Sequence, residues 1–208
     1  MTDQNKVQWV YSSKDNAELA ERYDVWAKDY DADVVGDFDW KGPEAGCEVL
    51  AKYVDSDAKV MDVGVGTGLA GWELTKRGFS RIDGFDLSPG MLDIAHETGW
   101  YGLLKVGILG EKLDFADDSY DAAIATGVFT NGHAPASGFD ECVRIVKSGG
   151  YFVITIRPDL LEPGGFNAKE AQLVAAGKMK LVEATDSIAM LPKGEPDVLH
   201  QVRVYEIL

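Results

Sequence analysis

Val60-Met61-Asp62-Val63-Gly64-Val65-Gly66-Thr67-Gly68-Leu69-Ala70-Gly71 leaves a short apolar run and enters a helix-compatible one. Glycines at such a junction let the backbone turn tightly and approach a ligand without a Cβ in the way. The first N–H groups of the following helix are left free to bond that ligand. The stretch therefore reads as a nucleotide cradle between a strand and a helix. Gly66 to Gly71 also satisfies the G-x-G-x-x-G of dinucleotide folds, a pattern with little power alone. Asp62 tips the balance. Two like charges about 4 Å apart repel by roughly 1 to 4 kcal/mol between water and a protein surface. A carboxylate just before the loop thus disfavours a pyrophosphate and suits a ligand bearing an ammonium or sulfonium; the other reading of Asp62 is a turn cap.

Working outward, apolar runs alternate with helix-compatible stretches. The runs are 59–64, 81–86, 103–109, 120–127 and 151–157; helices are expected over 69–77, 89–98 and 137–146. Such alternation predicts a parallel sheet with crossover helices, because parallel neighbours cannot be joined by tight hairpins. Past Arg157 a helix is expected over 167–176. Two further strands, 179–184 and 199–207, are set to pair antiparallel at the end of the sheet. Before Lys59 the pattern is helical. Leu19, Tyr23, Trp26 and Tyr30 recur at steps of four, three and four within 16–34 and gather on one side of a helix, with a second helix expected over 43–54. The fold class is α/β, a doubly wound and mostly parallel sheet with N-terminal helices. One domain spans 1–208, with a helical lid over 1–56 and the α/β core over 57–208.

The second strand ends at Asp86, about twenty residues past the glycines, where a carboxylate accepts both ribose hydroxyls of an adenosine. Ser88 and Pro89 follow as N-cap and first helical residue. Twenty Lys and Arg against 35 Asp and Glu leave a net charge of −15, a field that repels nucleic acid and anionic lipid and suits a small cationic or zwitterionic ligand, the other reading of the charge being solubility or a salty habitat. Cys47 and Cys142 lack zinc or disulfide spacing and are expected reduced and buried. Met1 to Val10 is polar where a signal peptide needs an apolar run, so a cytoplasmic protein is expected.

VMDVGVGTGLAG (60–71) followed by GFDLSPGML (84–92) resembles motif I and its successor in class I S-adenosylmethionine-dependent methyltransferases. The likeness continues through 23–31, 109–129 and 146–157. GVFTNGHAP (127–135) and SPGML (88–92) resemble the Williams-Beuren-region type, methyltransferase-like protein 27. The resemblance implies a seven-stranded Rossmann-like sheet of order 3-2-1-4-5-7-6 with the last strand antiparallel, and S-adenosyl-L-methionine as cofactor. On this chain Gly64, Gly66 and Gly68 would line its methionine half and Asp62 would hold its amino end. Asp86 would take the ribose, with Leu87 beside it. Met91 would lie on the adenine or in the core. The family's polar residue for the adenine amine is missing from 107–110, leaving backbone near Leu109 and Gly110 either to serve instead or to form a plain loop. Tyr23, Trp26 and Tyr30 match a lid helix, Tyr30 being placed to touch the cofactor, though their spacing alone predicts only burial. Thr126 and Gly127 would border the transferred methyl.

Methyl transfer from a sulfonium needs alignment and exclusion of water more than acid–base help. His133, just past the fourth strand, is placed either as a general base or as a solvent-facing loop residue. His96 and His200 are too dispersed to form a metal triad with it, and no metal is expected. Neither [Asn/Asp]-Pro-Pro-[Tyr/Phe] nor Pro-Cys follows the fourth strand, which leaves a small-molecule or protein acceptor at O, N or S. The rivals are a catalytically silent cofactor-binding module and an NAD(P)-dependent oxidoreductase. The latter's Tyr101-x-x-x-Lys105 falls at the third strand, where that spacing does not bring hydroxyl and ammonium together.

Overall fold

β1 (Lys59–Val63) alternates its side chains between two faces, Val60 and Asp62 toward one, Met61 and Val63 toward the other, and every residue after Lys59 is buried. A strand buried on both faces must be sandwiched by helices, and it is. The computed structural model describes residues 6–130 and 132–208; the start of the chain (1–5) and Asn131 of the His133 loop lie outside them.

Three helices precede the sheet: α1 (Lys6–Tyr11), α2 (Asn16–Asp31) and α3 (Gly42–Leu50). Then α4 (Leu69–Lys76), β2 (Arg81–Asp86), α5 (Pro89–Glu97), β3 (Tyr101–Val106), β4 (Tyr120–Phe129), α6 (Gly138–Ile145), β5 (Val146–Ile156), α7 (Phe166–Ala175), β6 (Met179–Ala184), β7 (Ile188–Ala189) and β8 (Leu199–Ile207) follow in turn. The sheet order is β3-β2-β1-β4-β5-β8-β6, and two-residue β7 pairs with β8. β8 runs antiparallel to both β5 and β6. This is the expected order and direction, with β7 as the addition.

One face of the sheet is covered by α3 and α4 through Cys47, Leu50, Ala70 and Leu74. The other is covered by α6 and α7 through Phe139, Cys142, Phe166 and Leu173. Both cysteines are buried and free. The small residues Ala122, Ala123 and Ala125 of β4 are fully buried between the two layers.

Boundaries differ from expectation where the backbone is needed elsewhere. The third strand covers 101–106 rather than 103–109, because the Gly107 N–H turns to the Asp86 carbonyl and Ile108 and Leu109 leave the sheet. β4 continues to Phe129, with its register to β5 broken between Ala125 and Phe129. Gly127 sits there at φ +75° and gives its N–H to Thr155 Oγ1 (2.9 Å). The first long helix stops at Asp31 and passes into a π-helical turn, Ala32–Asp37.

α2 is held onto the carboxyl edge of the sheet by two carboxylates. Asp24 Oδ1 accepts from Ser88 Oγ (2.6 Å) and the Gly90 N–H (2.7 Å), and Asp31 Oδ1 accepts from Thr67 Oγ1 (2.5 Å). Acids at the start of α5 meet N–H groups that the helix itself cannot satisfy. Asp24→Ala is expected to cost about 1 kcal/mol, less than the roughly 1.5 to 3 kcal/mol typical of bonds to a charged group, because Asp24 is exposed and solvent screens it. Hydrogen exchange should quicken several-fold across 16–31 while β1 and β4 keep their protection; unchanged exchange in α2 would show that the contact holds nothing.

Candidate functional site: a cavity at the carboxyl edge

The glycine loop folds as it does because Gly64 (φ +71°) and Gly66 (φ +55°) adopt backbone conformations that a side chain strains. A Cβ on Gly64 would stand 2.5 Å from Val128, whereas one on Gly66 would meet nothing within 4 Å, only the open space a ligand would fill. The Gly66 N–H bonds Asp86 Oδ2 (2.8 Å), and Asp86 Oδ1 accepts from the Ser88 N–H (2.9 Å). Asp86 thereby joins the β1–α4 loop to the start of α5. Its burial raises its pKa, and the bonds from the Ser88, Gly66 and Leu87 N–H groups pull it back.

Around Asp86 opens a cavity at the carboxyl edge of the sheet, partly open to solvent. Of the residues singled out in the sequence, Tyr30, Gly64, Gly66, Asp86, Leu87, Met91, Leu109, Thr126 and His133 line it. Phe85 and Ile108 add to the apolar slot near Met91, and Asn16 and Leu19 bring the start of α2 over the mouth. Those four were not foreseen. Asn16 and Leu19 share the helical face of Tyr23, so that periodicity held the signal for them. Ile108 lies in 107–110, the stretch that the resemblance aligns with the adenine loop, although it also reads as the end of the third strand.

Three expected residues are not on the lining. Asp62 lies beneath it, because strand alternation turns its side chain toward α4; Oδ2 accepts from Tyr101 Oη (2.7 Å) and Oδ1 has no partner among the described residues. Burial pushes its pKa up to about 7, and the Tyr101 hydroxyl opposes that rise. Gly68 caps α4 and backs onto the rings of Trp100 and Tyr101. Gly110 turns toward Pro135. Tyr101 and Lys105 make no pair: the Lys105 ammonium bonds Asp114 Oδ2 (2.6 Å) while the Tyr101 hydroxyl is on Asp62.

The lid side chains pack on one another, Trp26 edge-on to Tyr30 at 4.8 Å between ring centres and Tyr23 stacked with Trp26 at 6.1 Å. Trp26 is buried, with Nε1 donating to Asp33 Oδ2 (2.6 Å), while Tyr23 and Tyr30 face the cavity. Tyr23 Oη stands 2.6 Å from His133 Nε2, and Tyr11 packs edge-on to the same imidazole at 5.2 Å. Burial pushes the Tyr23 and Tyr30 hydroxyls well up in pKa. Among the described residues no group of three His, Cys, Asp or Glu side chains is arranged to hold a metal, and no helix is long and apolar enough to cross a membrane.

The family model described as a methyltransferase domain matches residues 61–154, the segment that builds β1 to β5 and the cavity floor. Residues 61–154 of this chain thus form a methyltransferase domain, and the sheet order and site around them are those of the fold that its solved neighbours share. In particular the chain is similar to methyltransferase-like protein 27 of Homo sapiens, 33% identical over 156 residues, which cover 73% of this chain and 63% of that protein. The chain thus spans less than two thirds of that relative's length. Solved structures share the fold. A Haloferax volcanii putative methyltransferase in complex with the Trm112 methyltransferase activator matches with TM-score 0.65 at 22% identity, over 88% of this chain and 96% of that one. The [4+2]-cyclase SpnF matches with TM-score 0.69 at 14% identity, over 93% and 97%.

Asp62 also carries a testable consequence. Its folded pKa of about 7 lies above the ordinary carboxylate value, so between roughly pH 4 and pH 7 the folded chain binds more protons than the unfolded one. Stability held below that window is lost as pH rises through it. Thermal unfolding of Asp62→Asn across pH 4 to 8 should show a flatter pH dependence than the unmodified chain; identical slopes would place the titration elsewhere.

Proposed function

We propose that the chain transfers a methyl group from S-adenosyl-L-methionine to a small-molecule or protein acceptor at oxygen, nitrogen or sulfur, as one domain; of the segment 1–56 expected to form a lid, α1 and α2 serve as one, while α3 packs into the core of the sheet. The carrying observation is the junction at Asp86, a carboxylate bonded to the glycine loop and facing a cavity with an apolar slot on one side and a Tyr–His pair on the other.

When bound, the cofactor supplies a methyl group on a sulfonium, which leaves without acid assistance. The residues present fit it. Asp86 is placed for the ribose hydroxyls, the open space at Gly66 for the methionine half, and Met91, Leu87 and Leu109 for a flat base. Asp62, one layer down, stabilises the loop from below and acts on a bound ammonium only through its field. Thr126 and Gly127 border the reaction centre, and Gly127 is drawn there by the break in β4. α2 excludes water by closing Leu19, Tyr23 and Tyr30 over the cavity. His133, with Tyr23, takes the proton that an O–H or N–H acceptor gives up.

A second reading, cofactor binding without methyl transfer, draws on the fold shared with a [4+2]-cyclase. Turnover separates the two: S-adenosylhomocysteine should accumulate when the protein is incubated with S-adenosylmethionine and a metabolite extract, and a protein that binds the cofactor but never yields this product is the silent module. The reading of Asp86 is checked by calorimetry on Asp86→Asn. Loss of bonds to a charged acceptor, typically about 1.5 to 3 kcal/mol, should weaken S-adenosylhomocysteine at least tenfold; a change under twofold removes the assignment. For His133→Ala, turnover is expected to fall at least tenfold with cofactor affinity unchanged, and undiminished turnover would make the imidazole a structural partner of Tyr23 only.

A further inference from the structure

Behind the lid lies a second cavity, and Tyr23, Tyr30 and Gly127 form the wall it shares with the first. Its character is different. Tyr11, Trp26 and Trp40 supply rings from the N-terminal elements, and Val34, Phe129 and Leu191 fill the spaces between them. No Lys, Arg, Asp or Glu is among the described residues lining it, in a chain of which 26% is charged. Of its polar groups, Thr155 Oγ1 already accepts the Gly127 N–H.

His200 does not fit an apolar chamber unless something completes it. It is the second residue of β8, opposite Ile188 of β7, is 6% exposed, and stands edge-on to Trp40 at 5.9 Å. Its Nδ1 has no hydrogen-bond partner among the described residues. Burial, helped by the Arg157 guanidinium, lowers its pKa to about 4 against the opposing pull of the Val198 carbonyl and Asp159, so the ring is neutral near pH 7 and Nδ1 is left without a bond of good geometry. Buried polar atoms without partners are rare because the lost bond to water is not replaced. The surroundings say what kind of guest would replace it. An ion entering here would shed its water against a wall that carries no charge, with Arg157, Asp159 and Glu195 acting on His200 and Tyr11 only from outside the lining, whereas a flat ring would exchange water for edge and face contacts with Trp26, Trp40 and Tyr11.

We propose that this chamber is the methyl-acceptor site and that it takes an uncharged molecule of one or two fused rings, one hydroxyl of which pairs with His200 Nδ1. The assignment rests on the reading of the cavity around Asp86 as the adenosyl site, since the shared wall of Tyr23, Tyr30 and Gly127 is what brings ring and methyl together. It selects a small molecule over a lysine or arginine side chain of a protein.

The test uses the full chain and three probes of one shape: 2-naphthol, anionic 2-naphthoate and cationic 2-naphthyltrimethylammonium, each titrated with and without S-adenosylhomocysteine and followed by calorimetry. The expected result is saturable binding of 2-naphthol, at least tenfold tighter than either ion. His200→Phe should weaken it at least fivefold, and Val34→Trp, which fills the chamber, should abolish it. Both variants should still bind S-adenosylhomocysteine as the unmodified chain does, which also shows that they fold. Should Val34→Trp fail that control, His200→Phe and the two ions decide. Equal or tighter binding of either ion, no binding of 2-naphthol, or naphthol affinity indifferent to both variants overturns the chamber while S-adenosylhomocysteine binding stands. No binding of S-adenosylhomocysteine to the unmodified chain overturns the acceptor assignment together with the proposed function.

Discussion

The bond from the Gly66 N–H to Asp86 is the contact on which the carboxyl edge of this sheet depends. Asp86 has two oxygens and gives one to the loop after β1 and the other to the start of α5. The two loops that border the cavity therefore move as one piece. The lid is tied to the same piece, Asp24 to Ser88 and Gly90, and Asp31 to Thr67. A negative group near unsatisfied N–H groups is favoured by both hydrogen bonding and the helix dipole, so Asp86 and Asp24 stabilise a loop and a helix start, while Asp31 holds the loop through the Thr67 hydroxyl. Part of the acidity of the chain is spent in this way on its own backbone; Asp121 on Lys59 and Glu141 on Leu113 are further cases.

The sheet contributes position as much as stability. β1 stands between β2 and β4, and crossovers leave it toward opposite sides, so the loops that follow β1 and β4 part and leave a crevice at their carboxyl ends. The break in β4 then moves Thr126, Gly127 and Val128 out of register with β5 and into that crevice. Gly127 faces both cavities, and Thr155 of β5 holds its N–H. A regular strand would have kept this backbone in the ladder and left the two cavities without their common border.

The fold was legible because hydrophobic alternation and glycine-marked strand ends are local signals. β1, β2, α4 and α5 begin and end within a residue or so of where their sequences put them. The extra strand β7 was not legible: two residues carry no periodicity, and they pair only because β8 runs past them. The site was half legible. Asp86, Gly66 and Tyr30 could be placed at the cavity from spacing and motif, but Asp62 was assigned a ligand when the alternation of its own strand points it at Tyr101. The aromatic chamber was invisible, since Tyr11, Trp40, Phe129 and His200 are far apart in the chain and meet only through folding.

What the residues determine by themselves is the order of strands and helices, the turn at the glycines and the acid at the end of β2, because each depends on neighbours within a few positions. Which acids touch a ligand, which brace a loop, and which ring walls enclose a second space were decided by the tertiary structure. Burial and distance between remote residues set those roles, and neither is a property of any short stretch of sequence.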